Sequence, residues 1–200
     1  MKKKKAKRKG RGMAKGSSFE REICKRLSLW WTDDERTDVF WRTSGSGARA
    51  KVGSKTGKNT FGQHGDVQAT DPVGQPLIDL YNIELKRGYN TAIINDFIDS
   101  KKKPELRVFI EQAITDCRLR DDESEWILLV KRDRKDVVLF TSSYFFKCCT
   151  SNALINSPTI RMRVKIKKHW MNNIIAMRFD DFLSHVTPVM IRKVWKWKMR

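Results

Sequence analysis

Gly65-Asp66, followed by Asn82-Ile83-Glu84-Leu85-Lys86 with Glu84 eighteen residues beyond the aspartate, is the stretch on which the reading of this chain turns. Side chains on an extended strand alternate between faces, so Asn82, Glu84 and Lys86 fall on one side and Tyr81, Ile83 and Leu85 on the other. One face is apolar and suited to packing, while the other carries an amide, an acid and an amine. Between the two motifs, Asp71-Pro72-Val73-Gly74-Gln75-Pro76 is dense in turn residues. The expectation is a hairpin, with one strand starting at Asp66 and its return strand over about 77–86.

Working outward from this hairpin, Ser17-Ser18-Phe19-Glu20 has the form of a capping box, and Phe19, Ile23, Leu27 and Trp30 recur at three- and four-residue spacing. This predicts an amphipathic helix over about 18–31. Val39-Phe40-Trp41-Arg42 reads as a short strand. A long loop follows with five glycines between Gly45 and Gly62 and with Arg49, Lys51, Lys55 and Lys58 but no acid. Loops of that length in a compact domain are more often functional or mobile than incidental. Downstream, Leu106, Phe109, Ile110, Ala113, Ile114 and Cys117 mark one face of a helix over about 104–118. Strands are expected at about 126–131 and 137–141, then a short helix through Tyr144, Phe145 and Phe146. The order of elements gives an α/β chain, a mixed sheet flanked by helices. Further on, 160–167 alternates apolar and basic residues strictly, as a strand with one wet cationic face would. Residues 174–179 pair with it, Asp180 caps a short helix, and the alternation of Trp195, Trp197 and Met199 with Lys196, Lys198 and Arg200 reads as an edge strand.

Charge is distributed as unevenly as it is abundant. The net charge is +19, yet 1–15 hold nine basic residues and no acid, 161–200 hold eleven basic residues against Asp180 and Asp181, and the stretch between is nearly neutral. The division expected is a disordered basic tail over 1–15, a folded core over 16–150 and a basic, β-rich extension over 151–200. Basic arms favour polyanions through counterion release, so nucleic acid is the expected partner. A solubilising tail, an RNA-binding arm and a nuclear address are the other readings of the first arm. No run of 18 apolar residues occurs, so no membrane span is expected. The N-terminal basic residues lack the apolar stretch of a secretory signal, and four cysteines without CxxC spacing do not form a metal or disulfide framework. The expected location is a reducing cytoplasm.

Hydrolysis of a phosphodiester needs an activated water, neutralisation of charge on the phosphate and support for the leaving oxygen. A hard divalent ion held by carboxylates supplies much of this. Asp66 and Glu84 are the candidate ligands; Lys86 would orient or deprotonate the water and stabilise the transition state. Glu20 would add a carboxylate, directly or through metal-bound water. On spacing alone, Glu84-x-Lys86 reads more readily as a surface salt-bridge pair than as part of a metal site. Trp195 and Trp197 are candidates for base stacking or for core packing. Cys148-Cys149 reads as core packing, His64 as a polar loop residue and Glu22 as a solvated charge.

Taken together, Lys15 to Ile23, Val39 to Gly47, Gly65-Asp66-Val67 and Ile83-Glu84-Leu85-Lys86 resemble the successive motifs of archaeal-type Holliday junction resolvases. These belong to the PD-(D/E)xK nuclease superfamily, and phages carry similar small nucleases. The resemblance runs from about residue 15 to about 135. It implies a restriction-endonuclease-like core and a Mg²⁺- or Mn²⁺-dependent endonuclease acting on DNA, most naturally branched DNA, as a homodimer, in the host cytoplasm if phage-encoded. It assigns Glu20, Asp66 and Glu84 to the acidic catalytic positions, Lys86 to the catalytic lysine and the Leu85 carbonyl to the metal shell. Arg42 falls on the basic position before the glycine-rich loop and Ser46 on a loop serine that approaches the substrate; Arg49, Lys51, Lys55 and Lys58 would clamp phosphates. The chain departs from the pattern in its longer loop, in Gly65 where the superfamily has proline, and in Asp116 where exonuclease branches carry a tyrosine four residues after the glutamine, here Gln112. A nicking or restriction-like nuclease on duplex DNA and a non-catalytic packaging protein are the alternative readings.

Overall fold

A 21-residue helix, α1 (Arg11–Trp31), lies against a short strand, β1 (Phe40–Arg42), and sets the geometry of everything that follows. The computed structural model describes residues 11–43, 65–98, 104–120, 124–150, 157–166 and 169–200. The stretch 1–10 and the loop with Ser46, Arg49, Lys51, Lys55 and Lys58 lie outside them.

Helix α1 buries Phe19, Ile23, Leu27 and Trp31, the stripe its spacing predicts, and half-buries Trp30. It begins at Arg11, inside the stretch expected to be a tail, so Ser17 and Ser18 are interior to the helix and form no capping box. Ala14, Met13 and Lys15 are strong helix formers and prolong a helix already held by packing. The Ser28 hydroxyl donates to the Cys24 carbonyl and accepts from the Phe40 N–H, each at 2.9 Å, fastening β1 to the helix.

β1 pairs antiparallel with β2 (Val67–Ala69), Arg42 lying opposite Val67. The expected hairpin between β2 and the next strand does not form. After a 3₁₀ turn at Pro72–Gly74 the chain makes a short helix, α2 (Gln75–Leu80), and only then β3 (Tyr81–Arg87). The turn-rich composition is real, but Pro76 sits in the first turn of a helix, where its fixed φ is favourable, and Leu77, Ile78 and Leu80 are buried from it.

β3 forms one edge of a five-stranded sheet in the order β3-β4-β5-β7-β6. A short helix, α3 (Asn95–Ile98), and the long α4 (Glu105–Arg120) cross over to β4 (Glu125–Lys131), which is parallel to β3 with Glu84 opposite Leu128. β5 (Val137–Ser142) is antiparallel to β4, and α5 (Ser143–Thr150) follows it. The C-terminal part completes the same sheet: β7 (His169–Arg178) pairs with β5, and β6 (Ile160–Ile166) lies outside β7. On β6, Arg161 and Arg163 are exposed while Val164 is buried, as the alternation predicts. The result is the mixed sheet flanked by helices expected of this α/β chain.

Two helices close the chain and bring two corrections. α6 (Phe179–His185) begins without a side-chain cap, because Arg178 stands at the N-cap position and Asp180 lies in the first turn, paired with Arg26. The Trp195–Arg200 region is not an edge strand: 188–198 form a helix, α7 (Pro188–Lys198), capped by the Thr187 hydroxyl on Met190 N–H. Ile191 is buried and Trp195 donates to Asp79, so the apolar contacts follow a helical period that a two-residue alternation masked.

The sheet separates two cores. Ile83, Leu85, Ile127, Leu129 and Leu139 pack beneath α1, α2, α6 and α7; Trp126, Leu128, Val130 and Phe140 pack beneath α4. Cys149 is buried beside the Tyr81 hydroxyl, and Cys148 is exposed. Among the described residues, no helix is long and apolar enough to cross a membrane.

Candidate active site

The polar residues of β3 point toward α4, and the strand's outer edge meets the start of β2. Gly65 makes that meeting close. Its φ is +79°, and a Cβ there would stand 2.5 Å from Asn82 Oδ1 and 2.8 Å from the Ile83 carbonyl, so only glycine fits. The Asp66 N–H then donates to the Ile83 carbonyl at 2.7 Å, and the Thr43 N–H to the Asp66 carbonyl at 3.1 Å, tying β1, β2 and β3 together. The Asp66 carboxylate reaches back along the edge, where Oδ2 accepts from the Leu85 N–H at 2.8 Å. A strand residue that turns its N–H outward turns its carbonyl outward too, so the Leu85 carbonyl shares this edge with Asp66.

Glu84 is only 5% exposed. Its Oε1 accepts from Lys86 Nζ at 2.6 Å and from Gln112 Nε2 at 3.0 Å. Burial and the nearby Asp66 carboxylate raise its pKa to about 7, against the opposing pull of Lys86. Burial alone would lower Lys86, but the charge and hydrogen bond of Glu84, with Asp66 behind them, outweigh it and hold the ammonium above its usual range. The amine also lies 5.7 Å from the centre of the Phe109 ring on α4. Glu20, on α1, is pushed up by burial and by Asp66, and accepts from Arg42 at 3.1 Å.

Glu20, Arg42, Asp66, Glu84, Leu85 and Lys86, drawn from α1, β1 and β3 and from the residue just before β2, thus form one electrostatically linked group. Ser46 and the four loop cations lie outside the described residues. Gln112 is the residue that sequence reasoning passed over. Its position was noted only for lacking a tyrosine four residues on, yet it grips Glu84, and it lies 3.4 Å from Asp116. The signal was a polar residue one helical turn beyond Val108 and Phe109, facing the charged side of β3. Asn82 is the other omission. It is fully buried beside Glu84's face, and neither atom of its amide has a hydrogen-bond partner among the described residues.

Among the described residues, no three His, Cys, Asp or Glu side chains converge to hold a metal ion. The donor set that does exist is two carboxylates and a main-chain carbonyl. Asp66 Oδ1 and Glu84 Oε2 accept no hydrogen bond from the described residues. Oxygen donors alone, with Glu84 raised to about 7 first by burial and then by the neighbouring Asp66 carboxylate, suit a hard divalent cation. The residues present fit such an ion.

Glu84 and Lys86 on the edge strand of a mixed α/β sheet, with Asp66 brought beside them from the residue before β2, are the acids and lysine that the sequence motifs single out. Residues 12–193 match the family described as "Phage putative PDDEXK endonuclease", and the chain belongs to that family. The match spans the C-terminal strands and most of α7 as well as the motifs around Asp66 and Glu84. No curated protein and no solved structure matches the chain. The family is one of nucleases, acts on DNA by its class, and PD-(D/E)xK nucleases generally use divalent metals.

Proposed function

We propose that the protein is a metal-dependent DNA endonuclease, with Mg²⁺ or Mn²⁺ held by Asp66, Glu84 and the Leu85 carbonyl, and with branched DNA as its preferred substrate. The observation that carries this reading is the pair of buried carboxylates at β3, Asp66 against its outer edge and Glu84 on its polar face, with Lys86 Nζ 2.6 Å from Glu84. When bound, the divalent ion acidifies water and neutralises charge on the phosphate.

The chain's own residues do the rest. Lys86 is held cationic by Glu84, so its role is to orient the attacking water and to meet negative charge growing on the phosphate, rather than to act as the base. Gln112 fixes the Glu84 carboxylate from α4. Arg42 holds Glu20 and presents a guanidinium suited to phosphates of the incoming strand. Arg49, Lys51, Lys55, Lys58 and Ser46 are assigned to the same strand by their sequence positions.

Branch preference follows from the motif resemblance to junction resolvases, and paired symmetric cuts would require two active sites in a two-fold homodimer. The host cytoplasm is the proposed place of action. Two experiments test the proposal. Wild-type protein should nick and linearise supercoiled plasmid in Mg²⁺ and stop in chelator; Asp66→Asn and Lys86→Ala proteins that cut at the wild-type rate would refute the site. A panel of end-labelled four-way junction, flap and duplex should give symmetric paired incisions in the junction. Equal cutting of linear duplex would instead support a nicking or restriction-like enzyme, and binding without any cutting would leave a packaging protein.

A further inference from the structure

Helix α7 turns two very different sides outward and inward. On the inner side Ile191 is buried, the Trp195 indole N–H donates to Asp79 Oδ2 at 2.9 Å, and the Arg192 guanidinium lies 4.7 Å from the centre of the Trp31 ring. These contacts fix the helix against α1 and α2. On the outer side, Lys193, Lys196 and Trp197, with Arg200 just beyond the last turn, stand at spacings of three and four residues along one stripe. All four are exposed, and Trp197 is 73% exposed, the largest value among the exposed large apolar side chains of the described residues. Lys193, Lys196 and Arg200 have no acidic partner among the described residues.

We propose that this outer face of α7 is a second DNA-contact surface that captures unstacked bases, Trp197 stacking on a base while Lys193, Lys196 and Arg200 take the flanking phosphates. The inference rests on the reading of the protein as acting on DNA, and it names the feature of DNA that is read. An indole standing free between cations suits a chain that offers a π-face and phosphates together, which a single strand or an opened branch does and an intact duplex does not. A membrane surface fits less well, because the broad apolar side of α7 is spent on the core and only Val189 and Trp197 break the polar stripe. Of the two tryptophans that alternate in the sequence, the structure commits Trp195 to packing and leaves Trp197 for a ligand.

The test uses the full chain in chelator, so that binding is read without cleavage, against a labelled single strand, the matching duplex and a four-way junction. Trp197→Ala should weaken the single strand and the junction by about 5- to 100-fold, the range expected for one stacked base, and leave the duplex nearly unchanged. Trp197→Phe should recover most of the loss. Replacing Lys193, Lys196 and Arg200 by glutamine should lower the slope of log affinity against log salt for the single strand by about 2. Unchanged thermal midpoints would show that the variants fold; a variant that does not fold is replaced by Trp197→Leu, which keeps the helix and loses the stacking. Equal binding of all three probes by wild type and Trp197→Ala overturns the proposal, as does an equal loss on all three. Loss of binding to phosphatidylserine vesicles with DNA binding intact overturns it in favour of a membrane. The outcome is separable from the catalytic reading: a protein that never cuts can still show the Trp197 dependence, and a protein that cuts through Asp66 can lack it.

Discussion

The two faces of β3 are buried almost equally and could hardly be more different. Ile83 and Leu85 are 2% and 7% exposed on one face; Asn82 and Glu84 are 0% and 5% exposed on the other. The first face is packed by α1 and its neighbours, and its polar groups lie at the two ends of the strand, the Tyr81 hydroxyl beside Cys149 and the Arg87 guanidinium 6.0 Å from the centre of the Phe19 ring. The second holds an amide without a partner, an acid displaced toward neutrality and an amine held cationic. Depth of burial therefore does not distinguish core from site here. What distinguishes them is whether the buried groups relieve one another, and on the second face they do so only in part.

The comparison breaks most readily at Lys86. Lys86→Ala or Glu84→Gln should lower the single-turnover rate on plasmid by about 10²–10³-fold, the range for loss of one charge-stabilising group, with little change in far-UV circular dichroism. A fall of less than tenfold would mean that this face is a buried salt bridge and no more. Ile83→Ala, one residue away on the opposite face, should do the reverse. It should cost about 2–5 kcal/mol in urea unfolding while the folded fraction cuts normally, and a specific loss of cutting would show that the apolar face also shapes the site.

A third measurement sharpens the contrast through pH. Glu84 is raised from 4.5 to about 7, so between those values the folded protein holds a proton that the unfolded chain has released. Stability of the metal-free protein should therefore fall as pH rises through this window, by at most a few kcal/mol, since one pH unit of displacement is worth about 1.4 kcal/mol. Glu84→Gln should remove that slope. Added Mg²⁺ should flatten or reverse it in wild type and not in Asp66→Asn; thermal midpoints at several pH values read both effects. The smallest expected effect is at Asn82. Asn82→Leu exchanges an unpartnered buried amide for an apolar group of similar shape, and should raise stability by about 1 kcal/mol, or about 2–4 °C in the midpoint, while slowing cleavage. A stabilised variant that cuts at the wild-type rate would show that Asn82 plays no part in the site.

Much of this was legible in advance, for identifiable reasons. The helices at α1 and α4 and the strands β3 to β7 carry strong periodicity, and the Asp66, Glu84 and Lys86 set followed from spacing together with motif order. The hairpin failed because Pro76 and Gly74 signal a helix start as well as a turn, and nothing local decides between them. The last helix was misread because Trp195, Trp197 and Met199 alternate with cations by coincidence, while its inward positions, the buried Ile191 and the half-buried Trp195, are set by contacts with α1 and α2. Gln112 and Asn82 were given no role in the site because their importance lies in what faces them across the fold. A polar residue one turn beyond Phe109 marks the position of Gln112, but not that it meets Glu84 from α4.

The Leu85 N–H has a significance beyond chemistry. β3 is a sheet edge, and a bare edge is a template on which another chain can add a strand. Asp66 occupies that edge with its own carboxylate, and Gly65 brings it near enough to do so. The residue proposed as a metal ligand thus also caps the edge against strand-to-strand self-association. Inactive proteins for trapping DNA are better made at Glu84 than by Asp66→Ala, which removes the acceptor and uncovers the edge. Asp66→Asn keeps an oxygen for the Leu85 N–H and should stay dispersed where the alanine protein grows into higher assemblies.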